Sequence, residues 1–270
     1  MKSMLPPLRP LASAKLFVFG ATVGPIVDSL HNQCLLRYEF APIHVSWPEA
    51  LPGLKTFLEQ EYLLSSSWSV PLLLGFAYVV LGDILPRVFQ WILNAAIDRR
   101  NESLTLVDSP SNKNRLQTRA VVAVLTTAAI IKASQYLELH QPFDSLVSVL
   151  PSTAQANYAV LMFAALMQWY VLDGSFAALL AAAVTSIGGP LSELPFVANH
   201  IWTYLPQATD YFPLANIPDS WKAIARLIGG DKYQQLGISS ITGPCYFAVT
   251  MDAIALSRYF TTGKDDEASP

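Results

Sequence analysis

Cysteine is almost missing from this chain. Cys34 and Cys245 are the only two in 270 residues, with no C-x-x-C spacing, which excludes a disulfide framework and a thiolate zinc site. His31, His44, His140 and His200 stand singly, so no H-x-x-x-H pair falls on a helix, and neither a metal nor a cofactor is expected. There is no G-x-S-x-G elbow and no H-E-x-x-H, and apart from Asp28 and His31 the carboxylates and histidines do not recur at helical spacing. The chain is therefore not read as an enzyme. Charge is scarce as well, at 14% of residues, and a formal net charge of −3 without a basic cluster argues against nucleic acid as a partner.

Apolar residues fill the space, at 52% of the chain, which leaves too little polar material to coat a soluble globule of this length. They gather into six stretches, about 15–35, 65–86, 119–139, 153–172, 174–193 and 236–257. Each is near the roughly 20 residues that cross about 30 Å of hydrocarbon. Residues 62–82 and 145–172 carry no charge at all, whereas Lys132 and Asp252 interrupt the third and sixth stretches. The expected fold is all-α: a polytopic membrane protein of six transmembrane helices forming one domain over residues 1–270, with a short arm (1–14) and a disordered tail (261–270).

Lys and Arg in short connections are retained on the cytoplasmic side. Lys2, Arg9 and Lys15 precede the first span; Arg87, Arg99, Arg100, Lys113, Arg115 and Arg119 follow the second; Arg258 and Lys264 follow the sixth. Fewer lie on the other side, namely Arg37, Lys55, Lys222, Arg226 and Lys232, so both termini are expected to be cytoplasmic. Asp28-Ser29-Leu30-His31 after the first apolar core offers no small-x-small cleavage site, and an uncleaved span is expected rather than a signal peptide.

The fourth and fifth spans are joined almost directly at Asp173-Gly174-Ser175, which requires a tight hairpin. Gly174 suits a left-handed helix end, and Asp173 or Ser175 can cap the next helix. Residues 88–118 read as a polar connection with a helical start over 88–97. Residues 195–235 are rich in proline and aromatics, with Trp202, Tyr204, Tyr211, Phe212 and Trp221 suited to a membrane interface. Gly188-Gly189-Pro190 is expected to end the fifth span.

Ionisable groups inside a membrane are functional candidates because they are costly unless paired or hydrated. Asp28 and Lys132 both fall roughly 20 Å from the cytoplasmic face and could pair, as a structural ion pair or, with His31 one turn on, as a polar track. The track would serve a small transporter or membrane enzyme using Asp28, His31 and Lys132, although the two halves of the chain share no inverted repeat. Gly20-x-x-x-Gly24 is small-residue spacing that lets helices approach closely. Asp173 is open to two readings, a cap or a contact for a partner.

Trp68-Ser69-Val70-Pro71, then Gly75, Gly82 and Pro86, follow the serine run Ser65–Ser67. This resembles the second helix of the INSIG (insulin-induced gene) family, W-x-V-P-x(3)-G-x(6)-G-x(3)-P, with every spacing kept. Arg119 and Ala133-Ser134 resemble its third helix. Trp169-Tyr170-Val171-Leu172-Asp173, with Ser175, resembles its Trp-Trp-x-Phe-Asp-Arg-Ser junction, and Pro244-Cys245-Tyr246-Phe247 with Arg258 resembles its last helix, one residue off in spacing.

The resemblance, that of a distant member, covers about residues 15–258. It implies an endoplasmic reticulum membrane protein, with a plastid or bacterial membrane as the alternative. Such a protein binds a sterol or another apolar lipid, such as diacylglycerol, and retains or regulates a polytopic partner of the sterol-sensing type in lipid homeostasis. Asp173 would stand where the family has an aspartate needed for partner binding, although Gly174 replaces the basic residue that follows it. A lipid cavity lined by Trp68, Ser134, Tyr158, Trp169 and Tyr246 is the matching expectation, with a few polar groups in an apolar wall.

Overall fold

A computed structural model describes residues 9–98, 113–143, 152–215 and 235–261. Expectations for the tail beyond 261, for Trp221 and for most of the 88–118 connection fall outside them. In order, the elements are α1 (Pro10–Leu35), β1 (Leu36–Tyr38), β2 (Pro42–Val45), α2 (Pro52–Leu58), β3 (Leu64–Ser67), α3 (Ser69–Val79), a π-helical turn (Val80–Ile84), α4 (Leu85–Asp98), α5 (Lys113–His140), α6 (Thr153–Leu172), α7 (Phe176–Ala198), β4 (Trp202–Tyr204), a 3₁₀ turn (Pro206–Ala208) and α8 (Thr242–Thr261).

Helix α1 begins with Pro10 at its first position, where a missing N–H costs nothing, and runs unbroken through Pro25. Its small residues face α3 as the spacing predicts. A methyl group on Gly20 would come within 2.5 Å of the Leu74 carbonyl oxygen, and one on Gly24 within 3.0 Å of the Leu74 side chain. Helix α3 does not stop at Pro86. A proline ring clashes with the carbonyl four residues back, and the wider π-helical turn over Val80–Ile84 falls where Gly82 and Pro86 meet that problem. The helix therefore continues to Asp98. At Gly82 a side chain would run into the Ala253 backbone, so the π-helical turn and α8 touch there.

The α6–α7 hairpin forms as its three residues dictate. Gly174 takes φ +69°, the Ser175 hydroxyl accepts from Ala178 N–H, and Asp173 accepts from Ser175 N–H at 2.9 Å. Helix α7 then passes through Gly188, Gly189 and Pro190 and through Pro195, ending at Ala198. The expected stop at Gly188-Gly189-Pro190 is thus not a stop. Gly189 is small because the Tyr246 ring of α8 occupies the space a side chain would need.

Two short antiparallel ribbons lie at the end of the bundle where α1, α5 and α7 finish. β1 pairs with β4, setting Tyr38 opposite Trp202, and β2 pairs with β3, setting Pro42 opposite Ser67. The serine run thus forms a strand, and the helix expected from residue 65 starts at Ser69. Its serines are buried and tied down: the Ser67 hydroxyl donates to the Phe40 carbonyl at 2.7 Å, and Ser65 N–H to Ser29 Oγ at 2.8 Å. Trp202 and Tyr204, expected at a membrane interface, are instead turned inward by this pairing, with Trp202 stacked on Phe196 at 4.8 Å. Tyr211 and Phe212 remain exposed.

Helix α8 is the axis, packed against α1, α5, α6, α7 and the π-helical turn. Outward faces of the surrounding helices carry exposed apolar side chains, among them Val18, Ile26, Phe76, Leu125, Phe163 and Ile187. Among the described residues, four helices are long and apolar enough to cross a membrane: Pro10–Leu35, Ser69–Asn94, Lys113–His140 and Phe176–Ala198. Helices α6 and α8, each of 20 residues, fall short of that apolarity. Several of their polar residues face protein: Asn157 and Gln168 are buried on α6, and Asp252 is buried on α8.

Candidate functional site

Between α1, α3 and α8, with α7 and β4 closing one end, lies a cavity of about 100 Å³. Its deeper wall is apolar, built from Gly24, Val27, Leu74, Ala77, Leu81 and Val249. The end nearer the ribbons is polar, with Asp28, His31, Glu193, Tyr204, Thr242, Cys245 and Tyr246. Small residues make this possible, since Gly189 leaves room for the Tyr246 ring whose hydroxyl reaches Glu193.

Two carboxylates, Glu193 buried and Asp28 partly buried, organise the polar end. Glu193 accepts from Tyr246 Oη at 2.8 Å and from Tyr204 Oη. Asp28 accepts from Tyr38 Oη at 2.9 Å and from the Asn32 amide at 3.0 Å, and His31 Nε2 lies 3.7 Å from its other oxygen. Hydrogen bonds of this kind are what make buried carboxylates tolerable. Burial first, then the neighbouring carboxylate, holds the phenols of Tyr38 (beside Asp28) and Tyr204 (beside Glu193) well above the ordinary tyrosine range. Both therefore stay protonated donors. His31 is also 2.9 Å from Ser134 Oγ on α5.

Of the residues expected to line a lipid cavity, Tyr246 is found in the wall of this cavity. Trp68 is 71% exposed at the start of α3, Tyr158 is partly exposed on α6, and Ser134 is fully buried against His31 behind the wall. Trp169 is half-buried and donates from its indole N–H to the Ser175 carbonyl at 3.0 Å. These four stand away from the cavity. Asp173 is not presented to the surroundings: its carboxylate is 3% exposed and ion-paired with Arg258 of α8.

Asp28 and Lys132 do not pair. Lys132 donates to the Leu58 carbonyl and to Gln135 Oε1, which fastens α2 to α5, while Asp28 turns to Tyr38, Asn32 and His31. The structure thus keeps Asp28 and His31 together at the cavity and removes Lys132 from it. Glu193, Tyr38 and Tyr204 were missed by sequence reasoning. Glu193 stood at the last position drawn for the fifth span, beyond the end expected at Gly188-Gly189-Pro190, and so was not read as a charge inside the membrane. A Ser-Glu step flanked on both sides by apolar residues, Pro190-Leu191 and Leu194-Pro195-Phe196, was the available sign.

Residues 11–250 match the sequence profile of the insulin-induced protein (INSIG) family. The chain belongs to this family. Among solved structures, the bundle resembles MvINS, a mycobacterial Insig homologue from Mycobacterium vanbaalenii, at 17% identity and a TM-score of 0.56, over 96% of this chain and 98% of that one. A cross-linked trimer of MvINS gives 18% identity and a TM-score of 0.58 with the same coverage. No curated protein sequence matches the chain. INSIG membership points to a non-enzymatic, multi-pass membrane regulatory protein of a kind that interacts with lipids or sterols. The same membership places the W-x-V-P-x(3)-G-x(6)-G-x(3)-P residues in context: Gly75 is where α3 meets Phe17 of α1, and Gly82 is where the π-helical turn meets the backbone of α8.

Proposed function

We propose that the protein is a lipid-gated INSIG-type regulator: it holds the head of a sterol or other apolar lipid in the cavity between α1, α3 and α8 and, through its helical surface, retains or regulates a polytopic membrane partner. The observation that carries this reading is the cavity itself, apolar along its length and polar at one end, in a chain of the INSIG family. A single polar cluster at the end of an apolar wall suits an amphiphile that is oriented by its head.

In this reading the chain is one INSIG-like domain whose α6 and α8 also cross the bilayer, giving six spans with both termini cytoplasmic. Their weaker apolarity is offset because their polar side chains face the bundle, where they are hydrogen-bonded: Gln168 to Thr127 Oγ1 at 2.8 Å, and Asp252 to Tyr78 Oη at 2.8 Å. The endoplasmic reticulum is the family's compartment, and a bacterial membrane suits the likeness to MvINS equally. Helix α8 links ligand to partner. Tyr246 sits at the cavity, and Arg258, twelve residues and about 18 Å along the same helix, holds Asp173 at the α6–α7 hairpin.

Native mass spectrometry with lipid identification, on protein purified gently from its own membrane, tests this. One sterol or lipid retained at defined stoichiometry is the expected result; a folded protein with no specific lipid would overturn it.

A further inference from the structure

The hydroxyl protons around the cavity are already committed within the protein. Four hydroxyls line it, and each donates into the protein: Tyr204 and Tyr246 to Glu193, Tyr78 to Asp252 Oδ2 at 2.8 Å, and Thr242 to the Ser239 carbonyl at 2.6 Å. Beyond the lining, Tyr38 donates to Asp28, and the Asn32 amide donates to Asp28 and to the Ser65 carbonyl at 2.8 Å. Apart from the His31 Nε2 edge, 3.7 Å from Asp28, and the weak S–H of Cys245, what remains open there is acceptor capacity on carboxylate and phenol oxygens.

The charge at this end can be counted from the same geometry. Ser134 Oγ gives its proton to the Ile131 carbonyl at 2.7 Å, so at 2.9 Å from His31 Nδ1 it can only accept, and Nδ1 carries a proton. Nε2 of the same ring faces Asp28 Oδ1 at 3.7 Å, where a bare lone pair would oppose a carboxylate. His31 is therefore an imidazolium, and against Asp28 and Glu193 it leaves one negative charge. Among the described residues, no Lys or Arg lines the cavity to balance it.

We propose, resting on the lipid-cavity reading above, that this end of the cavity selects an amphiphile with a protonated amine head and rejects an anionic one. An ammonium group brings one positive charge and three donors to a site offering one negative charge and mostly acceptors. The roughly 100 Å³ volume takes such a head and the first few carbons, with the chain continuing along the Gly24, Val27, Leu74 and Val249 wall. An inserted carboxylate or phosphate would face Asp28 and Glu193 with only the His31 Nε2–H, already turned to Asp28, and the weak Cys245 S–H to meet it.

The test is binding of three probes of one chain length, dodecylamine, dodecanol and dodecanoate, to the full chain in uncharged detergent at neutral pH, read by native mass spectrometry and calorimetry. The amine should bind roughly tenfold to hundredfold more tightly than the alcohol, as charged hydrogen bonds are worth, and the carboxylate should not bind. Glu193→Gln should remove about tenfold from the amine alone, with Asp28→Asn as the second variant should the first fail to fold. An alcohol or carboxylate that binds as tightly as the amine overturns the head-group assignment and leaves the lipid cavity standing. Amine preference that survives intact in a folded variant of both acids also overturns it. Failure of all three probes refutes the cavity reading itself.

Discussion

Replacing Asp173 separates a structural clasp from a docking contact. Its carboxylate is nearly inaccessible, accepts from Ser175 N–H at 2.9 Å and pairs with Arg258, which is itself 45% exposed. Asp173→Ala removes a charge-assisted cap and an ion pair, but the arginine left behind can reach solvent. The loss is therefore that of a hydrogen bond to a charged group, about 1.5–3 kcal/mol, rather than the about 3–5 kcal/mol of stranding a fully buried charge. Unfolding of the purified protein in mixed micelles by graded denaturing detergent would measure it. Arg258→Gln supplies the control, because it breaks the same pair while leaving the Asp173 carboxylate in place. If Asp173 works by gripping α8, both variants weaken co-purification with a partner to a similar degree, and their stability losses are non-additive. Retained association in Arg258→Gln, with loss only in Asp173→Ala, would refute the clasp and return Asp173 to direct partner contact. Full association and full stability in both would remove either role.

Adjacent glycines on α7 should behave oppositely. A methyl group at Gly188 meets nothing within 4 Å, so Gly188→Ala should stabilise by about 0.5–1 kcal/mol through helix propensity, whereas Gly189→Ala runs into the Tyr246 ring and should cost about 1–3 kcal/mol; equal effects in a detergent melt would contradict the packing described. Tyr38 and Tyr204 hold their protons above the ordinary range in the folded protein, so the folded state binds more protons than the unfolded chain once pH exceeds about 10. The stability they contribute is complete below that pH and falls as pH rises beyond it. Absorbance titration should show fewer phenolates than tyrosines until the protein unfolds, and complete ionisation with the fold intact would be the contrary result.

The helices were legible because hydrophobic length is a local property: α1, α3, α5 and α7 announce themselves, as does the Asp173-Gly174-Ser175 turn, where each residue has one evident job. INSIG membership was legible through spaced Trp, Pro and Gly residues, whose roles are packing against fixed neighbours. Boundaries at prolines were not. Pro86, Pro190 and Pro195 sit inside helices, since a π-helical turn or a close-packed neighbour absorbs what an isolated proline would break. The cavity was harder still. Tyr38 and Tyr204 meet Asp28 and Glu193 only because β1 pairs with β4 across 166 residues of chain, from Tyr38 to Tyr204, and no local pattern encodes that pairing. Trp68 and Tyr158 looked suitable as lining by residue type, but their helix faces point outward.

Asp252 shows how far a central helix can depart from bilayer composition. It is 2% exposed at the axis of the bundle, takes one hydrogen bond from Tyr78 Oη at 2.8 Å, and its second carboxylate oxygen has no partner among the described residues. Tyr78→Phe removes that bond and leaves a buried carboxyl group with nothing, which should cost about 1–3 kcal/mol. Replacing both partners by apolar groups, Tyr78→Phe with Asp252→Leu, removes the desolvation cost together with the bond and should be close to neutral or stabilising. Detergent-unfolding curves for the two variants and for Asp252→Leu alone form a complete cycle. A double variant as unstable as the single Tyr78→Phe would mean that the pair is not simply a tolerated polar contact. Because Tyr78 also lines the cavity, lipid occupancy measured on the same samples then decides the cause. Occupancy lost in a stable double variant ties the pair to ligand binding, whereas occupancy retained confines it to the packing of α3 on α8.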